Sequence, residues 1–259
     1  MRTPPALRAT TYFYVAYRRT WRGTMMTTFV NPVLYLAAMG VGLGTFVNKG
    51  GHLAALGHLR YLDFVAPALA ATTATTTAAT EATFPVMGAI KWTRTYFGML
   101  STPLRVGDVL TGHLVWIAAR VATAVAAYLV IMAAFGTIAS PWAVMVLPAG
   151  VLMGMAAAAP LAAFAATQEN DGAFSLVFRL GLVPLFLFSG VFFPISQLPA
   201  GIRVLAYATP LWHGVALCRG LTLGQLTLAG ALGHVGYLTA LVLIGSVWAS
   251  YTYRTRLAS

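Results

Sequence analysis

Charge is what this chain has least of: Asp, Glu, Lys and Arg make up 8% of its 259 residues, against about 25% in an ordinary soluble domain. With 59% of the residues hydrophobic, a water-soluble fold of this length could not hide its apolar surface. Lipid must be the solvent for most of it. Acids are scarcest, five against sixteen bases, for a formal net charge of +11. In a soluble protein that balance would point to nucleic acid, but the bases form no stripe interleaved with exposed aromatics. They sit at the ends of apolar runs, where snorkelling and anionic headgroups account for them, so no nucleic-acid partner is expected. The five acids (Asp63, Glu81, Asp108, Glu169, Asp171) all fall near the ends of such runs, which leaves no buried carboxylate series for a proton-driven carrier.

Other absences narrow the field. One cysteine, Cys218, excludes an internal disulfide framework. The five histidines (His52, His58, His113, His213, His234) are too widely spaced for a recognised metal-ligand pattern. Lys49 follows Asn48 and Lys91 precedes Trp92, so neither lysine sits in the Gly-Lys-Ser/Thr turn that cradles phosphates. ATP hydrolysis by that route is excluded, and no HExxH or GxSxG signals other catalysis. Arg8, Arg18, Arg19 and Arg22 follow Arg2 before any long apolar run, so no secretory leader is expected.

What is present is length in apolar stretches. A helix needs about 20 apolar residues to cross a hydrocarbon core of about 30 Å, and six stretches qualify: about 24–47, 61–84, 107–135, 142–166, 174–193 and 227–251. Each must be helical, because lipid satisfies no backbone hydrogen bond. The expectation is an all-α integral membrane protein, one domain over 1–259. Before the first span, Phe13, Tyr14, Tyr17 and Trp21 share one side of a helical wheel with Arg18, Arg19 and Arg22 beside them, which predicts an interfacial helix over 8–22. With the N-terminus inside, the inner segments hold Arg2, Arg8, Arg18, Arg19, Arg22, Lys91, Arg94, Arg105, Arg254 and Arg256. The outer ones hold Lys49, Arg60, Arg203 and Arg219. That asymmetry puts both termini in the cytoplasm. The stretch 194–226, broken by Pro194, Pro199, Arg203, Pro210, His213 and Arg219, reads as short helices dipping into the outer leaflet; a seventh span over 202–223 is the alternative.

Three features could carry function. The loop 85–106 reads as a short amphipathic helix with Trp92, Tyr96, Met99 and Leu100 on one face and Lys91 and Arg94 alongside. It either lies on the inner membrane surface or docks into a groove on a cytoplasmic partner. The second span is threonine-rich (Thr72, Thr73, Thr75, Thr76, Thr77, Thr80, Thr83). This suits close helix packing or a polar lining for a path through Thr73, Thr77 and Thr80. Arg120 lies well inside the third span and Arg179 a turn into the fifth; Arg120 needs a partner or water. Gly40/Gly44 and Gly150/Gly154 form GxxxG pairs, which do not define a dimer face by themselves.

Together, the interfacial helix, TRTYFGMLSTPLRVGDVLTGHLVW (93–116), PLFLFSGVFFPISQLP (184–199) and ATPLWHGVALCRG (208–220) resemble the permease subunit of ABC-2 type exporters. The resemblance is to the branch with nodulation lipo-oligosaccharide exporters and actinobacterial drug-resistance permeases. It implies a pair of permease chains, as homodimer or heterodimer, in a bacterial cell membrane, each docked on a separate ATPase that binds ATP and Mg; no cofactor would sit on this chain. The 85–106 helix would be the coupling helix, with Lys91, Trp92, Arg94, Tyr96 and Phe97 in or near the contact. Pro194, Pro210 and His213 would belong to the outer re-entrant region, and a hydrophobic or amphipathic substrate would leave between the two chains. The loop TQEND (167–171) is short and acidic and offers little further docking surface. A stand-alone carrier or channel would instead need a discontinuous, charge-lined span, and a membrane enzyme a cluster of His, Asp or Glu at one depth.

Overall fold

The computed structural model describes residues 4–49 and 59–258; Arg2, His52, His58 and the side chain of Lys49 lie outside the described residues. Every regular element described is helical. Helix α1 (Pro5–Tyr17) leads through a turn at 18–20 into α2 (Trp21–Ala37), which continues by a π-helical turn (Ala38–Leu43) into α3 (Gly44–Lys49). Then come α4 (Tyr61–Ala82), α5 (Phe84–Met87) with a π turn (Gly88–Trp92), α6 (Thr95–Leu100) and α7 (Val106–Ala134). A 3-10 turn (Pro141–Met145) opens α8 (Val146–Thr167), and α9 (Gly172–Leu176) runs through another π turn (Val177–Leu182) into α10 (Val183–Phe188). Helices α11 (Ala200–Tyr207), α12 (Pro210–Leu223) and α13 (Leu228–Leu257) complete the chain.

Four helices among the described residues are long and apolar enough to cross a membrane: Trp21–Val47, Val106–Ala134, Pro141–Thr167 and Leu228–Leu257. The threonines of α4 keep it out of that set although its 22 residues reach about 33 Å. Gly172–Phe188 is apolar but shorter. The protein is thus an all-α membrane protein.

Several expected boundaries move. The interfacial helix ends at Tyr17 rather than 22, so Trp21 and Arg22 open the first long helix instead. The fifth stretch stops at Phe188, not 193, because Gly190 turns into the left-handed region (φ +77°) that a glycine adopts without strain. The last helix runs six residues past 251, to Leu257. In 202–223, α11 and α12 are separate; α12, at 14 residues, reaches about 21 Å and is too short to span.

The core is built on small residues. Ala66, Ala70, Ala74, Ala78 and Ala82 of α4 are fully buried, letting α7, α8 and α12 close around it. Gly154 is required where α8 crosses α7: a Cβ there would stand 2.8 Å from Val121 Cγ1. Gly150 meets Val125 likewise, so this GxxxG pair packs inside the chain. Helix α1 lies along the first half of α7, at the end of the bundle that carries both termini. A Cβ on Gly112 would meet Ala9 Cβ at 2.6 Å and the Ala6 carbonyl at 2.7 Å.

Candidate functional site

The threonines of α4 divide by helical position. Thr72 and Thr75 are buried against the core, while Thr73, Thr76, Thr77 and Thr80, spaced i, i+3, i+4, i+7, face outward. Thr76 and Thr80 return their hydroxyls to the carbonyls four residues back, a habit that lets threonine sit in an apolar helix. These four line a groove of about 340 Å³ between α4, α2 and α7, with Thr24, Asn31, Tyr35, Glu81 and Arg120. Thr73, Thr77 and Thr80, which the sequence offered as a polar lining, and Arg120 therefore come together on one groove, and Thr76 lies among them.

Arg120 finds its partner in Glu81, at the far end of α4, with Nε donating to Oε1 at 3.0 Å. Its Nη1 donates to the Tyr17 hydroxyl at 3.0 Å, and the guanidinium lies 4.5 Å from that ring's centroid. Both charged side chains are largely buried, 10% and 21% exposed. The pairing joins α1, α4 and α7 at the mouth of the groove. A second cavity, about 320 Å³, adjoins the first and shares Tyr35, Thr73 and Thr76 with it. Its remaining lining is mostly apolar: Leu69, Tyr128, Phe178, Leu182, Val183 and Phe186, with Arg179 at one side. Tyr128 keeps a buried hydroxyl without a partner among the described residues.

The 85–106 loop departs from expectation. It is not one amphipathic helix but two short pieces broken at Thr93–Arg94, where Arg94 takes a left-handed backbone (φ 49°, ψ 29°). The break separates Trp92 from Tyr96. Trp92 is 63% exposed, whereas Tyr96 is fully buried and joins its hydroxyl to His113 Nδ1. Tyr96 also lies 3.5 Å from the Tyr253 hydroxyl, and Phe13 stacks on the His113 ring at 4.5 Å. Tyr96 is therefore an anchor that ties α6 to α7, α13 and α1, not a surface contact. Trp92 and Arg94 face outward, with Phe97 half-buried.

Lys91 bonds Glu169 in the TQEND loop, and Arg256 Nη2 of α13 reaches the same carboxylate at 2.6 Å. One acid thus links three segments. The hydrogen bond from Lys91, then that from Arg256, holds the Glu169 carboxyl below its ordinary range.

At the opposite end, Pro210 opens α12 and Thr209 caps it by accepting from Trp212 N; Pro194 precedes the 3-10 turn Ile195–Gln197. His213 meets His234 of α13, Nδ1 to Nδ1, at 2.9 Å, a pairing that spacing along the chain did not disclose. No group of three or more metal-ligating side chains occurs among the described residues. Arg219, assigned to an outer loop by the sequence, is built into the fold. It donates to the carbonyls of Phe64 (3.0 Å) and Gly190 (2.8 Å) and stacks on the Phe64 ring at 3.7 Å. The signal was there: an arginine amid apolar Leu217, Cys218 and Leu221 needs a partner as Arg120 does.

Residues 9–223 match the family described as ABC-2 type transporter. Nodulation protein J of Rhizobium leguminosarum bv. trifolii is 30% identical over 94% of this chain and 90% of its own length. The bv. viciae protein of the same name is 28% identical over 94% and 92%. That of Sinorhizobium fredii (strain NBRC 101917 / NGR234) is 29% identical over 80% and 76%.

Proposed function

Because the chain belongs to the ABC-2 type transporter family, we propose that this membrane permease component is the transmembrane half of an ATP-driven exporter. It would move a hydrophobic or amphipathic substrate outward, powered by a separate ATPase subunit. The observation that carries the substrate class is the pair of adjoining cavities. One is lined by threonines, Asn31, Glu81 and Arg120 and the other by leucine, valine and phenylalanine, with Tyr35, Thr73 and Thr76 common to both. An amphiphile needs both environments side by side. Helix α2 leaves most of its surface bare beside them, which favours a second permease chain closing the path.

In this reading α4 and Gly172–Phe188 join the four long helices as spans, making six. The end with the termini is cytoplasmic, as its many arginines favour, and α11–α12 form the outer re-entrant region. Trp92 is the docking contact for the ATPase, with Arg94 and Phe97 beside it. Tyr96 backs the contact from within, through His113 and Tyr253, so that force on the loop reaches α7 and α13.

Co-expression with a candidate ABC ATPase subunit, followed by vesicle transport of a fluorescent amphiphile, tests the proposal. Uptake into inside-out vesicles should need ATP and an intact phosphate-binding lysine in the ATPase. Trp92→Ala should leave insertion and stability within about 0.5 kcal/mol, as for an exposed side chain, while abolishing substrate-stimulated hydrolysis. ATP-independent movement by this chain alone would favour a stand-alone carrier or channel and overturn the exporter.

A further inference from the structure

Three cations surround a cavity of about 510 Å³ at the end that carries the termini: Lys91, Arg94 and Arg256, over Ile90 and Phe97. Lys91 and Arg256 share Glu169, so three cationic side chains here face this one carboxylate. The Arg94 carbonyl accepts from Gly98 N at 3.1 Å, but its guanidinium makes no hydrogen bond or ion pair among the described residues. Arg94 is also the one non-glycine described with a positive φ. A left-handed arginine is strained, and strain of this kind is kept where it places a group for use. Here it holds an unpaired guanidinium at an open pocket.

Depth along α13 locates the pocket. Trp248 and Tyr251 are exposed on that helix (43% and 69%), and aromatics of this kind settle at the membrane–water boundary. Arg256 follows Tyr251 by five residues, about 7.5 Å of helix. That is headgroup level rather than open cytosol. We propose that the Lys91–Arg94–Arg256 pocket binds the phosphate headgroup of an anionic phospholipid of the inner leaflet, with Ile90 and Phe97 under its glycerol. Arg94 supplies the unsatisfied charge, and Lys91 and Arg256 are held in place by Glu169. Trp92 does not line this pocket and is left for the ATPase. The inference rests on the proposed function only for the orientation that puts this end in the cytoplasm.

The test uses the purified full-length chain in neutral detergent, without the ATPase. Its thermal unfolding is followed as phosphatidylglycerol, phosphatidylcholine or inorganic phosphate is added. Phosphatidylglycerol alone should raise the midpoint. Arg94→Gln should raise the half-saturating lipid concentration about fivefold, the equivalent of one interfacial charge, and Arg94→Lys should recover part of it. Arg94→Gly removes the charge while suiting the left-handed backbone. It should be at least as stable as wild type without lipid and still respond weakly to phosphatidylglycerol. Trp92→Ala should bind lipid normally, so a failed docking role and a failed lipid site give different results. Equal responses of wild type and Arg94→Gly would overturn the proposal. So would an equal effect of phosphatidylcholine or of phosphate. So would a lipid-indifferent chain in which Arg94→Gln instead weakens ATPase co-purification, which would assign the pocket to a protein carboxylate.

Discussion

Two arginines within the helical bundle are satisfied in opposite ways, one toward each end. Arg219 donates to two main-chain carbonyls and stacks on Phe64. Arg120 pairs with a carboxylate and a tyrosine hydroxyl at the edge of a groove. Carbonyls of α4 and of the Gly190 turn cannot leave without unwinding the chain, so Arg219 is a fixed staple. Glu81 and Tyr17 are side chains on two other helices and can separate by rigid movement. The difference separates a contact that only unwinding can break from one that two side chains could release. The side-chain contact borders the threonine groove, while the main-chain one joins α12 to the start of α4.

The comparison breaks most easily at Arg219. Arg219→Ala strands two carbonyls that accepted charge-assisted bonds and should cost about 3 kcal/mol, read as lost thermal stability and lower membrane yield. Arg219→Lys can reach one carbonyl but not both in the same geometry and should recover less than half. If both variants unfold like wild type, Arg219 is not a staple.

Glu81 and Arg120 sharpen it. Glu81→Ala leaves Arg120 with Tyr17 alone in a largely buried place and should cost about 2 kcal/mol. The double variant Glu81→Gln, Arg120→Gln keeps the shape without the charges, and its cost should fall below the sum of the single changes by about 1–2 kcal/mol. Transport should fall in the double variant even where stability is recovered. Recovery of both would make the pair purely structural.

A third variant loosens α1 without touching charge. Gly112→Ala puts a methyl 2.6 Å from Ala9 Cβ and 2.7 Å from the Ala6 carbonyl, which must push α1 off α7. A cost of about 1–3 kcal/mol is expected, together with faster proteolysis between Arg18 and Arg22.

How legible all this was depends on the kind of signal. Long apolar runs gave the helices of 106–134 and 141–167 to within a residue or two, because lipid enforces helix over the whole run. The threonine face was readable because periodicity on one helix fixes a face, and Thr73, Thr77 and Thr80 share it on one groove. Tyr96 was misread for the same reason. Its spacing from Trp92 assumes an unbroken helix, and the left-handed Arg94 rotates one away from the other. Contacts between distant segments, such as His213 with His234, have no periodicity to announce them. Charge scarcity was the unused signal. With five acids among sixteen bases, an acid readily finds a partner, and four of the five, all but Asp171, have one among the described residues. Asp63 pairs with Arg60, Glu81 with Arg120 and Glu169 with Lys91 and Arg256, while Asp108 caps α7 through the Arg105 amide.

Glu169 should give the smallest effect, and its pH dependence says why. Its carboxyl is held below the ordinary range by Lys91 first and Arg256 second, so its contribution is fully present above the unfolded carboxylate value of about 4.3. It is lost as pH falls through the lower folded value. The unfolding midpoints of wild type and Glu169→Gln should therefore differ by a constant amount from pH 7 to about pH 5 and converge in stronger acid. Because the Glu169 side chain is 65% exposed, salt screens both bonds and the gap should narrow further in high salt. A difference that grew on acidification would mean Glu169 is not ionised in the folded chain. A small, salt-sensitive gap would mark Glu169 as an organiser, keeping three segments in register where Arg120 and Arg219 hold helices together.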